Sequence, residues 1–250
     1  IGISYQMHGL VLIDKEGNAL RKSIIWCDSR AVSIGQNAYH EIGADRCNTH
    51  LLNSPANFTA SKLKWVKENE PEIYAQIYKM MLPGDYIAYK LSGVVNTTVS
   101  GLSEGIFWDF KKDEIADILL EHYGLEKEMI PDIVDTFSVQ SKVNEKGAGE
   151  SGLNIGTPIL YRAGDQPNNA LTLNVFKPGE VAATGGTSGV VYAVTDNLSV
   201  KESSRVNNFA HVNYTPGKPT RIGKLLCING AGIQYRWLLN NLDVDSYDEM

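Results

Sequence analysis

The sequence predicts an α/β fold with a mixed sheet, and three observations carry that reading. Short strand-like runs alternate with segments of helical period along the chain. Hairpin-like turns interrupt the alternation, so some strands must pair antiparallel. The composition is that of a globular protein, with 43% hydrophobic and 21% charged residues in 250, and no internal repeat or low-complexity tract interrupts it. The net charge of -6 argues against a nucleic-acid binder held by phosphate electrostatics. No apolar run approaches the roughly 20 residues a membrane helix needs. The chain opens at Ile1-Gly2-Ile3-Ser4, inside strand-like sequence, and closes at Tyr247-Asp248-Glu249-Met250, inside helix-like sequence. It reads as a piece of a longer protein.

Each element follows from local pattern. Residues 9–14 are strand-like, Lys15-Glu16-Gly17-Asn18 is a turn, and residues 21–26 return, so the start reads as a β-hairpin. Residues 31–52 carry Ile34, Ala38 and Ile42 at helical spacing. A second helix covers 59–69, where Ala60, Leu63 and Val66 share a face. Pro71 limits it and opens another helix through Tyr78. Pro83-Gly84 breaks the pattern, and Asp85 is placed to cap a helix through Leu91. Residues 112–123 read as an amphipathic helix ended by Gly124. Turn formers crowd residues 138–158, with a short helix at 148–153. That stretch divides the chain into expected domains 1–158 and 159–250. Beyond it, 159–161 is a buried strand, 164–167 a turn and 168–176 a helix. Strands follow at 181–184, 190–194 and 224–228, and a helix at 230–240.

Cys27, Cys47 and Cys227 are odd in number and lack C-x-x-C spacing, which argues against a disulfide framework and a zinc site. They read as buried or half-buried thiols of a cytoplasmic protein. His40, His50, His122 and His211 show no metal or triad spacing and read as structural. The N-x-S/T triplets at Asn57, Asn96, Asn197 and Asn213 read as chance occurrences.

Five stretches can carry chemistry. Gly185-Gly186-Thr187-Ser188-Gly189 lies between two apolar strand runs and can form a phosphate-binding nest; a plain hairpin turn is the alternative. It is neither a Walker A loop nor a dinucleotide fingerprint. Gly164-Asp165-Gln166 places a carboxylate between a strand end and a helix start, where it can act as a general base or cap the helix. Gln6-Met7-His8 supplies donors and acceptors suited to a polyol. In Trp26-Cys27-Asp28-Ser29-Arg30 the Asp and Arg form either a brace or a substrate wall. Gly230-Ala231-Gly232-Ile233-Gln234 leaves room at a helix start for a flat ring, or for close helix–strand packing.

Together and in this order, these segments resemble the FGGY family of carbohydrate kinases, and within it the members that act on D-xylulose. Residues 2–9 resemble the family's sugar-site strand, and Trp26-Cys27-Asp28-Ser29-Arg30 its W-x-D-x-R stretch. Phe58-Thr59-Ala60-Ser61-Lys62-Leu63-Lys64-Trp65-Val66 resembles its first signature, centred on K-L-x-W. Leu82-Pro83-Gly84-Asp85-Tyr86 and the three later glycine-containing motifs complete the match. The resemblance implies two actin-like, RNase H-like domains around a cleft, with mixed sheets flanked by helices. It implies phosphoryl transfer from ATP, with Mg²⁺, to a sugar hydroxyl. It assigns Asp165 as general base, and Gln6, Met7, His8 and Gln166 to the sugar. Gly186 and Thr187 fall to the nucleotide phosphates, Gly230 and Gln234 to the adenosine, and no metal ligand in this stretch. Gln6-Met7-His8 favours a ketopentose over glycerol, whereas Gln166 is closer to glycerol kinases. Other polyols of the family (glycerol, L-ribulose, L-fuculose, gluconate) and a non-catalytic binding relative are the alternatives. Sugar and ATP are the implied partners, with homodimers common in the family and neither nucleic acid nor membrane expected.

Overall fold

The computed structural model describes residues 1–186, 188–228 and 230–250; Thr187 and Asn229 lie outside the described residues. In chain order, β1 (Gly2–Tyr5) and β2 (Val11–Ile13) precede α1 (Val32–Ile42), α2 (Ala44–His50), α3 (Thr59–Asn69) and α4 (Pro71–Tyr74). Next come β3 (Lys79–Met81), α5 (Pro83–Ser92), β4 (Asn96–Thr98), α6 (Val99–Glu104), β5 (Trp108–Asp109), β6 (Glu114–Ile115) and α7 (Asp117–Tyr123). The middle of the chain holds β7 (Asp132–Val134), β8 (Ser141–Lys142), α8 (Glu145–Ser151), β9 (Pro158–Ile159), β10 (Tyr161–Gly164) and α9 (Asp165–Thr172). The last part is β11 (Val181–Gly185), β12 (Gly189–Thr195), β13 (Val206–Ala210), β14 (Ile222–Ile228) and α10 (Ala231–Asn241).

The sheets are mixed, as the sequence predicts. β1 pairs parallel with β10, with Gly2 opposite Tyr161 and Tyr5 opposite Gly164, and β4 pairs parallel with β7. The largest sheet is antiparallel in the order β11-β12-β14-β13. Parallel pairing of strands this far apart in sequence needs the intervening helices as crossovers. A single apolar cluster runs from Leu10 and Leu12 through Leu63, Phe107 and Leu120 to Tyr192, Phe209 and Ile222, so both halves share a core. The expected division between 158 and 159 falls inside β9, which pairs with β8, just before β10, which pairs with β1. No helix among the described residues is long and apolar enough to cross a membrane.

Several local expectations are corrected. The opening hairpin reduces to single bridges, Leu10 to Ile24 and Ile13 to Ala19, because β2 takes β3 as its strand partner. The helix expected over 31–52 breaks at Gly43, whose φ of 99° is outside the helical range. The helix after Pro71 stops at Tyr74, since Lys79, Met80 and Met81 are needed to pair with β2. Residues 112–116 leave the expected helix to form β6, so α7 starts only at Asp117; Gly124 ends it at φ 62° as expected. The turn expected at 164–167 does not form. β10 runs straight into α9, which ends at Thr172 rather than Phe176. Asp85 caps α5 from the helix's third position, its Oδ2 accepting from the N-cap residue Leu82 N, and its Oδ1 is buried against Arg162. Cys47 is buried, but Cys27 and Cys227 are exposed.

Candidate active site

The carboxyl ends of β1 and β10 lie side by side, and the two chains leave them in different ways. β10 passes directly into α9, with Gly164 at its N-cap and Asp165 as its first residue. Asp165 therefore stands one residue inside the helix rather than at its N-cap position. Its carboxylate accepts a bond of 3.3 Å from Gln166 Nε2. Burial raises its proton affinity above the ordinary carboxylate range, and bonds from Gln166 offset part of that. Gly164 cannot be replaced quietly: a Cβ there would overlap Glu104 Oε2 and Met7 Cγ.

β1 instead ends in Gln6-Met7-His8, with His8 in the left-handed region at φ 63°. His8 Nδ1 lies 2.8 Å from the Glu104 carbonyl. A carbonyl only accepts, so Nδ1 carries the proton. Burial lowers the His8 pKa to about 4, which leaves the ring neutral and Nε2 as an acceptor. Phe58 and Phe209 flank the ring, with centroids 4.6 and 5.4 Å away. Behind His8, the fully buried Lys62 donates to the carbonyls of His8 at 2.8 Å and Ile25 at 3.0 Å. Burial lowers its pKa to about 8, against the favourable charge of Asp28.

A cavity of about 390 Å³ opens at these strand ends. Gln6, Met7, His8, Asp165 and Gln166 all line it, so the predicted sugar residues and the predicted base meet in one place. Trp26, Ser188 and Asn207 also line it; the sequence placed Ser188 in the phosphate nest and Trp26 in the W-x-D-x-R stretch, and gave Asn207 no role. Trp26 N donates to Gln6 Oε1 at 3.2 Å, which explains how the W-x-D-x-R stretch reaches the site. Asp28 and Arg30 form a two-bond ion pair, and Arg30 stacks over Trp65, so the pair is a brace, though an exposed one where a buried one was expected. His50 and His211 are engaged structurally, by Asp109 and by Tyr192 and the Val175 carbonyl. A second cavity of about 500 Å³ between α2 and the segment after β12 contains none of the predicted residues.

The nucleotide candidates converge on the same mouth. Gly232 N donates to Gly186 O at 2.9 Å, so the glycine loop and the start of α10 are joined. Gly230 is the N-cap of α10, and Gln234 stands exposed on its first turns. Thr187 lies outside the described residues. A Cβ built on Gly185 or Gly230 would meet no heavy atom within 4 Å, so open space lies against this backbone. For Mg²⁺ the fit is poor: among the described residues no group of three or more His, Cys, Asp or Glu could hold a metal ion.

Comparison with known proteins follows this geometry. The profile of the FGGY family of carbohydrate kinases, N-terminal domain, matches residues 1–172. This chain belongs to the FGGY family of carbohydrate kinases. Family relatives include the xylulose kinase of Staphylococcus xylosus, 29% identical over 98% of this chain and 50% of that protein. The xylulose kinase of Streptomyces rubiginosus is 32% identical over 84% of this chain and 44% of its own length. The chain thus spans about half the length of the curated relatives it matches. Among solved structures, a xylulose kinase from Brucella ovis superposes with a TM-score of 0.83 at 29% identity, covering 96% of this chain and 48% of that one. A glycerol kinase from Plasmodium falciparum with ADP reaches 0.88 at 19% identity over all of this chain and 50% of that one, which shows the shared fold.

Proposed function

We propose that the protein carrying this chain phosphorylates a ketopentose, D-xylulose, to D-xylulose 5-phosphate at the expense of ATP in the cytoplasm. One observation carries the reading: the carboxylate of Asp165 lines the same cavity as Gln6, Met7, His8 and Gln166. Bound at the glycine loop, the nucleotide supplies the phosphoryl group. Phosphoryl transfer then asks the protein mainly for positioning. His8 Nε2 and the amides of Gln6 and Gln166 orient the sugar hydroxyls. Asp165 takes the proton of the attacking hydroxyl as the hydroxyl oxygen bonds to the γ-phosphorus and the bond from that phosphorus to the bridging oxygen breaks, its electron pair leaving with ADP, and burial makes this carboxylate a stronger base than one in water. The four-stranded sheet and α10 form the nucleotide half in this reading, with residues 1–158 as the sugar half. The names of the relatives support xylulose as the sugar.

An ADP-release assay on the full-length protein over D-xylulose, L-ribulose, glycerol and gluconate tests the substrate. Signal with D-xylulose is expected, and signal only with another polyol refutes that choice. Asp165→Asn is expected to lower kcat by at least about 10², the lower end for a general base, with unchanged circular dichroism. Near-normal turnover in that variant sinks the assignment.

A further inference from the structure

Two sides of the cavity come from residues 6–8, Trp26 and the start of α9. The facing wall is the four-stranded sheet, which contributes Val190 from β12, Leu225 and Cys227 from β14, and Asn207 from β13. Val190 and Leu225 are apolar, so Asn207 is the amide on that wall. Side chains alternate along a strand. Asn207 therefore shares its face with Phe209, whose ring packs on His8. Asn208, on the other face, spends its amide on the Leu52 carbonyl and Lys224. Asn207 is half-buried, and its side chain makes no hydrogen bond to any described residue. An amide that both donates and accepts, set on an apolar wall, is the kind of polar group that fixes a ligand's orientation.

The strand that carries Asn207 is also fixed relative to His8. Asn208 N donates to Asn53 Oδ1 at 2.8 Å, and Asn53 Nδ2 donates back to Asn208 O at 2.6 Å. Ala210 N donates to Ser103 Oγ at 2.9 Å, and Ser100 Oγ donates to Ala210 O at 3.3 Å. Ser100 and Ser103 belong to α6, whose last residue, Glu104, holds His8 through its carbonyl. One short helix thus sets the spacing between His8 and the Asn207 wall.

We propose that Asn207 is a sugar-binding residue, pairing through its side-chain amide with a hydroxyl of the polyol held between His8 and Gln166. The proposal rests on the reading of this cavity as the sugar site. The test is calorimetry and steady-state kinetics on the full-length protein and its Asn207→Leu variant, with D-xylulose and its monodeoxy analogues as ligands. The variant is expected to raise the sugar Kd and KM by about 3- to 10-fold, the loss of one neutral hydrogen bond, and to leave the KM for ATP unchanged. One monodeoxy sugar is expected to bind both proteins equally, which identifies the partner hydroxyl. Should Asn207→Leu fail to fold, Asn207→Ser replaces it with the same expectations. A sugar Kd within twofold of wild type for every ligand overturns the role of Asn207. If the unaltered protein binds no polyol at all, the reading of the cavity fails first and the proposal with it.

Discussion

His8 and Glu104 show how single residues are forced into their roles here. The His8 ring is neutral because it is buried, and its tautomer is fixed because its Nδ1 faces a carbonyl. Glu104 is the reverse case, a carboxyl 1% exposed with neither oxygen in a hydrogen bond of normal geometry. Burial pushes its proton affinity well up, and the nearby charges of Asp85 and Asp165 push it further. It therefore holds its proton where an ordinary carboxylate would be ionised. The unfolded chain ionises this group near its usual pKa of about 4.3, so folding must recapture a proton above that pH. The stability linked to Glu104 is complete below that value and falls as pH rises toward the elevated folded-state pKa. Glu104→Gln removes this slope. Urea midpoints measured at pH 5 and pH 8 are expected to converge in the variant and to differ more in the wild type. Equal differences in both would contradict a protonated Glu104.

At the scale of elements, α3 and α6 support the proposed sugar site from behind. α3 buries Ala60, Leu63 and Val66, as its helical period requires, and the same face carries Lys62 inward. A buried ammonium needs partners, and it finds them in the carbonyls of His8 and Ile25. It thereby ties the end of β1 to the segment that brings Trp26 into the cavity. Lys62→Met keeps the helix and removes both ties. The KM for sugar is expected to rise at least about tenfold, since hydrogen bonds to a charged group are stronger than neutral ones, while the KM for ATP stays put. Charge also matters: with a pKa of about 8, and with Asp28, Cys27 and the His8 ring as its titratable neighbours, Lys62 loses its proton as pH rises through that value. Sugar affinity is expected to weaken over the same window, measured by calorimetry from pH 7 to 9. An affinity flat across that range in the wild type would remove the ammonium from the site's support.

At the scale of the molecule, the two halves are joined by polar bonds between buried groups as well as by the shared core. Asn53 acts as a short length of strand for β13, accepting from and donating to Asn208. Asn53→Leu leaves the Asn208 N–H and C=O unpaired in a dry place, an expected loss of about 1–3 kcal/mol in unfolding free energy. Because β13 carries Asn207 and Phe209, the same change is expected to raise the sugar KM while the nucleotide site is spared. Deeper in, Arg162 on β10 pairs with Asp85 at 2.7 Å and bonds Asn96, tying α5 and β4 to the strand that ends at Asp165. The strand that presents the base is thus anchored by a buried ion pair, which keeps its exit direction fixed.

Local chemistry was enough to read much of this protein. Proline, glycine and the apolar period placed α3, the late strands and α10 within a residue or two, because those signals act over a few residues. Motif order gave the family, and Asp165, Gln6, Met7, His8 and Gln166 were legible as a group. Other features depended on partners distant in sequence. β3 forms because β2 offers it an edge, and the strand pattern of residues 79–81 is too short to declare itself. β13 was missed since Val206-Asn207-Asn208-Phe209-Ala210 breaks apolar alternation with two asparagines, each used by a neighbour or cavity rather than by solvent. Asp85 reads locally as a cap and does accept from Leu82 N, but only the fold sets Arg162 beside it. The sequence alone determined which residues could do chemistry and which family they belong to. Only the tertiary structure decided that Asp165 shares a cavity with residues 6–8, that Lys62 and Glu104 lie buried behind that cavity, and that Asn207 lines it, because burial and pairing between distant segments exist only once the chain is folded.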